Sequence, residues 1–169
     1  MTFSGSIATP VGVLEVHSDG IAIRRVTWPR PGRAIAGRGS SDAARDPLLA
    51  EALTQLGAYF AGERAAFDLP FDLGAQSETT SAVLHALYDT VLQGETVTYG
   101  ELAERSGTAV PARAIGSIMG ANPIPIIVPC HRVVASDGLG GYSGGAPGEG
   151  LRTKRWLLEH EGALPPALF

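Results

Sequence analysis

Pro129-Cys130-His131-Arg132-Val133 holds the only cysteine of a 169-residue chain, with an imidazole directly after it. A thiol beside an imidazole is a nucleophile beside a base, the pairing that thiol chemistry requires. The need for a base is quantitative. With a pKa of about 8.5, a free cysteine is only a few per cent thiolate at pH 7, and an apolar setting lowers that fraction until a partner accepts the proton. His131 is the adjacent candidate. Neighbouring residues in a strand point to opposite faces, so a direct contact needs a turn, or a water must bridge. A lone cysteine is more often a small buried hydrophobe, and the surrounding residues must decide between the two.

The elements that would position this pair can be read outward from it. Ile124-Pro125-Ile126-Ile127-Val128 is an apolar run between prolines and reads as a short buried strand ending at the thiol. Upstream, Thr98-Tyr99-Gly100-Glu101 is a capping box opening a short helix that stops at Gly107, and Pro111 opens another to about Met119. Two short helices joined by a tight turn form a helix-turn-helix signature. The second is built from small residues and one arginine: Ala112, Arg113, Ala114, Ile115, Gly116, Ser117. Such a face can lie close to another backbone, and it suits a nucleic-acid groove with Arg113 reaching in. Before these, a helix capped at Thr80 or Ser81 runs through Val83, Leu84, Leu87 and Val91 to Leu92.

The first part of the chain reads as strands and one helix. Val11–Val16 and Ile21–Val26 flank Ser18-Asp19-Gly20 as a hairpin. Residues 29–46 read as a mobile loop, rich in Gly, Pro, Arg and Ser. Pro47 opens a helix to Phe60, and Phe67–Leu73 alternates as a strand that Pro70 places at an edge. Gly74-Ala75 marks a boundary, giving domains 1–75 and 76–169. The fold class expected is α+β: a small sheet with one packed helix, then a helical domain carrying the helix-turn-helix.

Composition narrows the functions. With 44% hydrophobic and 18% charged residues the chain is globular. One cysteine can form neither an internal disulfide nor a thiolate-rich zinc site, which makes a reducing, cytoplasmic setting the expectation. The four histidines are scattered without metal-ligand spacing, and no metal or cofactor is expected. No apolar segment approaches the ~20 residues of a membrane span, and the N-terminus lacks the features of a signal peptide. Net charge is −4, with 7 basic and 8 acidic residues in 1–75 and 6 and 9 in 76–169. Any DNA contact must therefore be local rather than a matter of global attraction. Twelve of the 13 basic residues are arginine, which favours planar bidentate contacts.

Taken in order, Gly94-Glu95, Tyr99-Gly100-Glu101-Leu102-Ala103, Arg113-Ala114-Ile115-Gly116, Asn122-Pro123-Ile124-Pro125, Val128-Pro129-Cys130-His131-Arg132-Val133-Val134, Gly141-Tyr142-Ser143-Gly144-Gly145 and Trp156-Leu157-Leu158-Glu159-His160-Glu161-Gly162 resemble the O6-alkylguanine-DNA alkyltransferases. These are also called methylated-DNA–protein-cysteine methyltransferases. The resemblance is dense over residues 78–162 and looser before, through Thr9-Pro10-Val11-Gly12 and Tyr59-Phe60-Ala61-Gly62. Two features depart from it. The family's Phe-Gln pair and tryptophan are replaced here by Thr79-Thr80 and Leu84, and the cysteines with which some members bind zinc are absent.

The resemblance implies a ribonuclease H-like first domain and a winged helix-turn-helix second domain. It implies repair of O6-alkylguanine, and to a lesser extent O4-alkylthymine, in double-stranded DNA held by its minor groove. The damaged base is rotated out of the stack, with Arg113 filling its place and Ala112, Gly116 and Ser117 on the DNA-facing helix. Cys130 takes the alkyl group, activated through a water by His131, which Glu161 orients. Tyr99 donates to guanine N3, Ser143 acts near O6, Tyr142 packs on the base, the carbonyls of Cys130 and Val133 read its amine, and Asn122 braces the turn before the cysteine. The product thioether has no second thiol to remove it, so one turnover per molecule is expected, and alkylation should destabilise the fold. A monomer in solution is expected; assembly side by side on DNA is left open.

Two other readings compete. A thiol hydrolase would use Cys130, His131 and Glu161 repeatedly on esters or amides, but such enzymes draw their histidine from a distant segment. A non-catalytic DNA-binding module would need no nucleophile.

Overall fold

The computed structural model describes residues 1–32 and 42–165. It separates into two compact units, Met1–Gly74 and a second beginning at Ala75. In the first, β1 (Phe3–Thr9), β2 (Gly12–Ser18) and β3 (Ile23–Thr27) form an antiparallel sheet in that order. β1 pairs with β2 from Phe3↔Ser18 to Thr9↔Gly12, and Gly12, at φ 104°, takes the left-handed conformation that the two-residue connection needs. Helix α1 (Pro47–Phe60) starts with proline in its first turn and is capped by Asp46, whose carboxylate accepts from Leu48 N at 3.0 Å. Its buried Leu49, Leu56 and Tyr59 share the unit's core with Leu14 and Val16 of β2 and Ile23 and Val26 of β3. Each such side chain contributes about 1.5–3 kcal/mol on burial.

Three expectations change here. β1 went unread, because its alternating positions Ser4 and Ser6 are polar and small and its apolar signal is thin. Phe67–Leu73 makes one parallel bridge, Phe71 to Ile23, in place of a strand. Pro70 has no N–H to donate, and its carbonyl accepts from Ile23 N at 2.8 Å. In the expected loop 29–46, residues 33–41 lie outside the described ones. Asp42–Ala44 forms a 3-10 turn, fastened where Ser4 N donates to Asp42 Oδ2 at 3.0 Å.

The second unit is helical around a minimal sheet. Its elements are α2 (Glu78–Thr90), β4 (Val97–Thr98), α3 (Tyr99–Arg105), α4 (Ala112–Gly120), β5 (Val133–Val134) and α5 (Gly150–His160). The cap of α2 is Ser77 rather than Thr80 or Ser81; Thr80 occupies the first turn, where its N–H donates to Ser77 Oγ at 3.1 Å. Helices α2, α3 and α4 pack together over Leu84, Leu87, Leu102 and Ile115, all buried. The α3–α4 pair is the helix-turn-helix. Thr98 caps α3, accepting from Glu101 N at 3.2 Å. β4 and β5 run parallel with Val97 opposite Val133 and Thr98 opposite Val134. That pairing places the helix start carrying Tyr99 beside the segment that follows Cys130.

Ile124–Val128 is buried as its apolarity requires, but it forms a turn rather than a strand. Two prolines remove ladder donors, and Asn122 offers the backbone other partners: Oδ1 accepts from Ile124 N at 3.0 Å and Nδ2 donates to Val128 O at 2.9 Å. Ile126 sits at φ 73°, a conformation that costs a β-branched residue of order 1–3 kcal/mol. Packing that buries it holds it there.

Candidate active site

Cys130 opens a 3-10 turn, Cys130–Arg132, that follows the braced 122–128 turn directly. The turn answers the geometric difficulty of adjacent residues, because the chain here is not extended. Cys130 is 6% exposed and forms part of the wall of a cavity of about 460 Å³. That volume lies within the range of about 300–1,000 Å³ typical of small-molecule sites. Tyr99 from the start of α3, Gly116, Met119 and Gly120 from α4, and Gly141, Tyr142 and Ser143 from the following loop complete the wall. Ser143 Oγ donates to Gly120 O at 3.3 Å, which ties the loop to α4.

Behind the cysteine lies a buried charge network. His131 is fully buried, and its Nε2 lies 2.7 Å from Glu161 Oε1. Glu161 ends α5, where a carboxylate opposes the helix dipole and needs compensation. His131 supplies part of it and Arg132 the rest: Arg132 Nε donates to Glu161 Oε2 at 2.9 Å and Nη2 to Oε1 at 3.1 Å, while Nη1 holds Val91 O at 2.7 Å. Burial pushes the Glu161 carboxyl up, but His131 and Arg132 more than offset it and hold it at about 2. Burial pushes the His131 imidazole down, against the pull of Glu161. The pair is therefore a neutral imidazole donating Nε2–H to an ionised carboxylate. This leaves His131 Nδ1 as a buried acceptor with no hydrogen-bond partner among the described residues. Burial raises the Cys130 thiol, while Asn122 and the charge of Lys154 act to lower it. A raised thiol beside an imidazole with an open lone pair is an arrangement for moving one proton when the sulfur reacts.

Of the residues singled out in the sequence, Cys130, Tyr99, Gly116, Tyr142 and Ser143 meet around one cavity, His131 and Glu161 meet behind it, and Asn122 braces the approach. Ala112, Arg113 and Ser117 do not line the cavity; they lie on the exposed face of α4. The Val133 carbonyl already accepts from Lys154 Nζ at 2.7 Å and has one further lone pair. Sequence reasoning missed Arg132, although it lies inside the quoted motif. It also missed Met119, and Lys154, whose signal was its being the only lysine in the chain. Among the described residues no cluster of three or more His, Cys, Asp or Glu could hold a metal, and no helix is long and apolar enough to cross a membrane.

Comparison with known proteins gives one answer. The family model of the 6-O-methylguanine DNA methyltransferase DNA binding domain matches residues 78–163, and that of the same family's ribonuclease-like domain matches residues 3–73. A methylated-DNA–protein-cysteine methyltransferase of Mycolicibacterium paratuberculosis is 44% identical over 144 residues, 85% of this chain and 74% of the relative. That of Mus musculus is 42% identical over 130 residues, 73% of this chain and 59% of the relative. The crystal structure of Mycobacterium tuberculosis OGT in complex with DNA superposes with a TM-score of 0.78 at 38% identity, covering 97% of this chain and 95% of that one.

Proposed function

The chain belongs to the 6-O-methylguanine DNA methyltransferase family, and from that membership we propose that Cys130 takes the alkyl group from O6-alkylguanine in DNA in a single irreversible step. The protein is a DNA-binding, direct-reversal repair methyltransferase that moves the alkyl group to a cysteine, and the chain has one cysteine to receive it. The observation that carries the assignment is the position of Cys130, a residue of the cavity wall whose neighbour His131 is buried against Glu161.

The chemistry follows from the geometry. The exposed face of α4 meets the minor groove, and Arg113, whose exposed side chain has no ion pair or hydrogen bond among the described residues, enters the stack as the damaged base leaves it. An arginine plane stacks on bases and stays charged, which makes it a fitting substitute. The base enters the cavity against Tyr142, and the carbonyls of Cys130 and Val133 face its exocyclic amine. His131 Nδ1 accepts the thiol proton through a water, and Glu161 stabilises the imidazolium that forms. Sulfur attacks the alkyl carbon, the carbon–O6 bond breaks, and its electron pair leaves with the base. Tyr99 gives its proton to guanine N3 with Ser143 near O6, so the base departs neutral, and the proton held by His131 passes back through water to the phenolate. Overall the thiol proton ends on the base and the alkyl group on sulfur. O4-alkylthymine is the poorer substrate. The protein acts as a monomer, in a cytoplasmic setting that keeps the thiol free.

The thioether has no route back to a thiol, so each molecule acts once. Incubation with a duplex bearing O6-methylguanine is expected to add one methyl to Cys130, seen by intact-mass and peptide mass spectrometry, with no further substrate consumed. Cys130→Ser is expected to gain nothing; a methylated Cys130→Ser protein would refute the assignment. Repeated ester hydrolysis would favour a hydrolase instead.

A further inference from the structure

Lys154 is the only lysine of the chain, it is fully buried, and the reaction above does not use it. An ammonium taken out of water persists only where hydrogen bonds and charge replace its hydration. Three carbonyls do so here. Nζ donates to Val133 O at 2.7 Å, to Gly141 O at 2.9 Å and to Leu139 O, which uses all three of its donors.

These acceptors join two parts of the site. Val133 follows the Cys130–Arg132 turn and pairs with Val97 in β4. Leu139 and Gly141 flank Gly140, whose backbone is pressed on Tyr99: a Cβ at Gly140 would stand 2.6 Å from Tyr99 Oη. Gly141 itself lines the cavity. One side chain thus fastens the strand after the nucleophile to the loop that backs Tyr99.

We propose that Lys154 is a positioning residue for alkyl transfer, stapling the 139–141 loop to β5 so that Tyr99 and the pocket wall stay in register with Cys130, while its charge supports the thiolate. The inference rests on Cys130 being the acceptor. Burial pulls the ammonium down to about 8 and Cys130 acts to raise it; in return the charge of Lys154 lowers the thiol. The other charged groups of the site are His131, Arg132 and Glu161, and the charge of Lys154 also favours a neutral His131. Lysine and cysteine therefore each favour the other's ion, a coupling that a merely structural lysine would lack.

A sole lysine gives a single ε-ammonium signal after lysine-specific nitrogen-15 labelling, so its protons can be followed in the intact protein without DNA. At neutral pH, with all three N–H groups held by carbonyls, they are expected to exchange with solvent at least roughly tenfold more slowly than those of free lysine; exchange as fast as free lysine would overturn the proposal. In Lys154→Met, the pH profile of Cys130 alkylation by iodoacetamide is expected to shift upward, and methyl transfer from the duplex to slow by roughly tenfold or more. Lys154→Arg, which keeps the charge, is expected to return the alkylation profile toward wild type. An unmoved profile with transfer within twofold of wild type would also refute the proposal. If Lys154→Met fails to fold, Lys154→Gln, which keeps two donors without the charge, takes its place in both measurements. Failure of the wild-type protein to accept any methyl would instead sink the repair reading, and the two failures are separable.

Discussion

The two units differ in where each keeps its most connected charge cluster. In the first, Arg24 bridges Asp19 and Asp72 at 2.6 Å each, with all three side chains a quarter to a half exposed. Such pairs hold a turn in place and are weakened by solvent and salt. In the second unit Glu161, His131, Arg132 and Lys154 lie within the interior, the carboxylate shared between an imidazole and a guanidinium. Buried charge costs several kcal/mol per ion unless fully compensated, and hydrophobic residues would fill the same space at lower cost. A fold retains such a network where the charges do something apolar side chains cannot, such as setting the proton affinity of a neighbouring sulfur. The contrast separates a unit organised to fold from one organised to react.

Substitutions can break or sharpen that contrast. Glu161→Gln should have the largest effect. It leaves Arg132 without its counter-ion, a change expected to cost about 3–5 kcal/mol, and methyl transfer should fall by roughly 10²-fold or more, measured by unfolding and by single-turnover kinetics. The pH dependence has a definite sign. The folded-state pKa of Glu161 is depressed from 4.5 to about 2, so its stabilisation is present above the ordinary value and is lost as pH falls through that window. Thermal unfolding between those limits should show the loss in the wild type and a flatter profile in Glu161→Gln. Arg113→Ala comes next, with transfer from duplex DNA slowed roughly tenfold, transfer from free O6-methylguanine unchanged, and the unfolding temperature unmoved. Thr98→Ala should cost about 1 kcal/mol through loss of the α3 cap, with a smaller drop in transfer because Tyr99 follows it. Arg24→Ala should leave both the unfolding temperature and the repair rate within experimental scatter; a loss of repair there would erase the distinction between the units.

Legibility in the sequence followed the range of the interactions involved. Thr98-Tyr99-Gly100-Glu101 and Pro47 are local signals, and α3 and α1 begin where they indicate. Glu161 could be paired with His131 across 30 residues only through the family resemblance, since no local signal links the two. The Ile124–Val128 segment was misread because hydrophobicity reports burial and not backbone form; the outcome was decided by Asn122, a side chain outside the run. Lys154 showed no more than its singularity, for a similar reason: its partners are main-chain carbonyls, which every residue carries and no motif can mark.

Much of the cavity wall is bare backbone. Gly116, Gly120 and Gly141 contribute to it, and a Cβ added at the first two would meet Tyr99 or Ser143 at 3.9 and 3.8 Å, while at the third it would meet nothing within 4 Å. The receptacle is thus shaped by missing methyl groups, and the surrounding protein has room for each to be restored. Capacity for bulky adducts becomes an adjustable dimension, one that drift or an engineer could narrow carbon by carbon without touching the reacting sulfur.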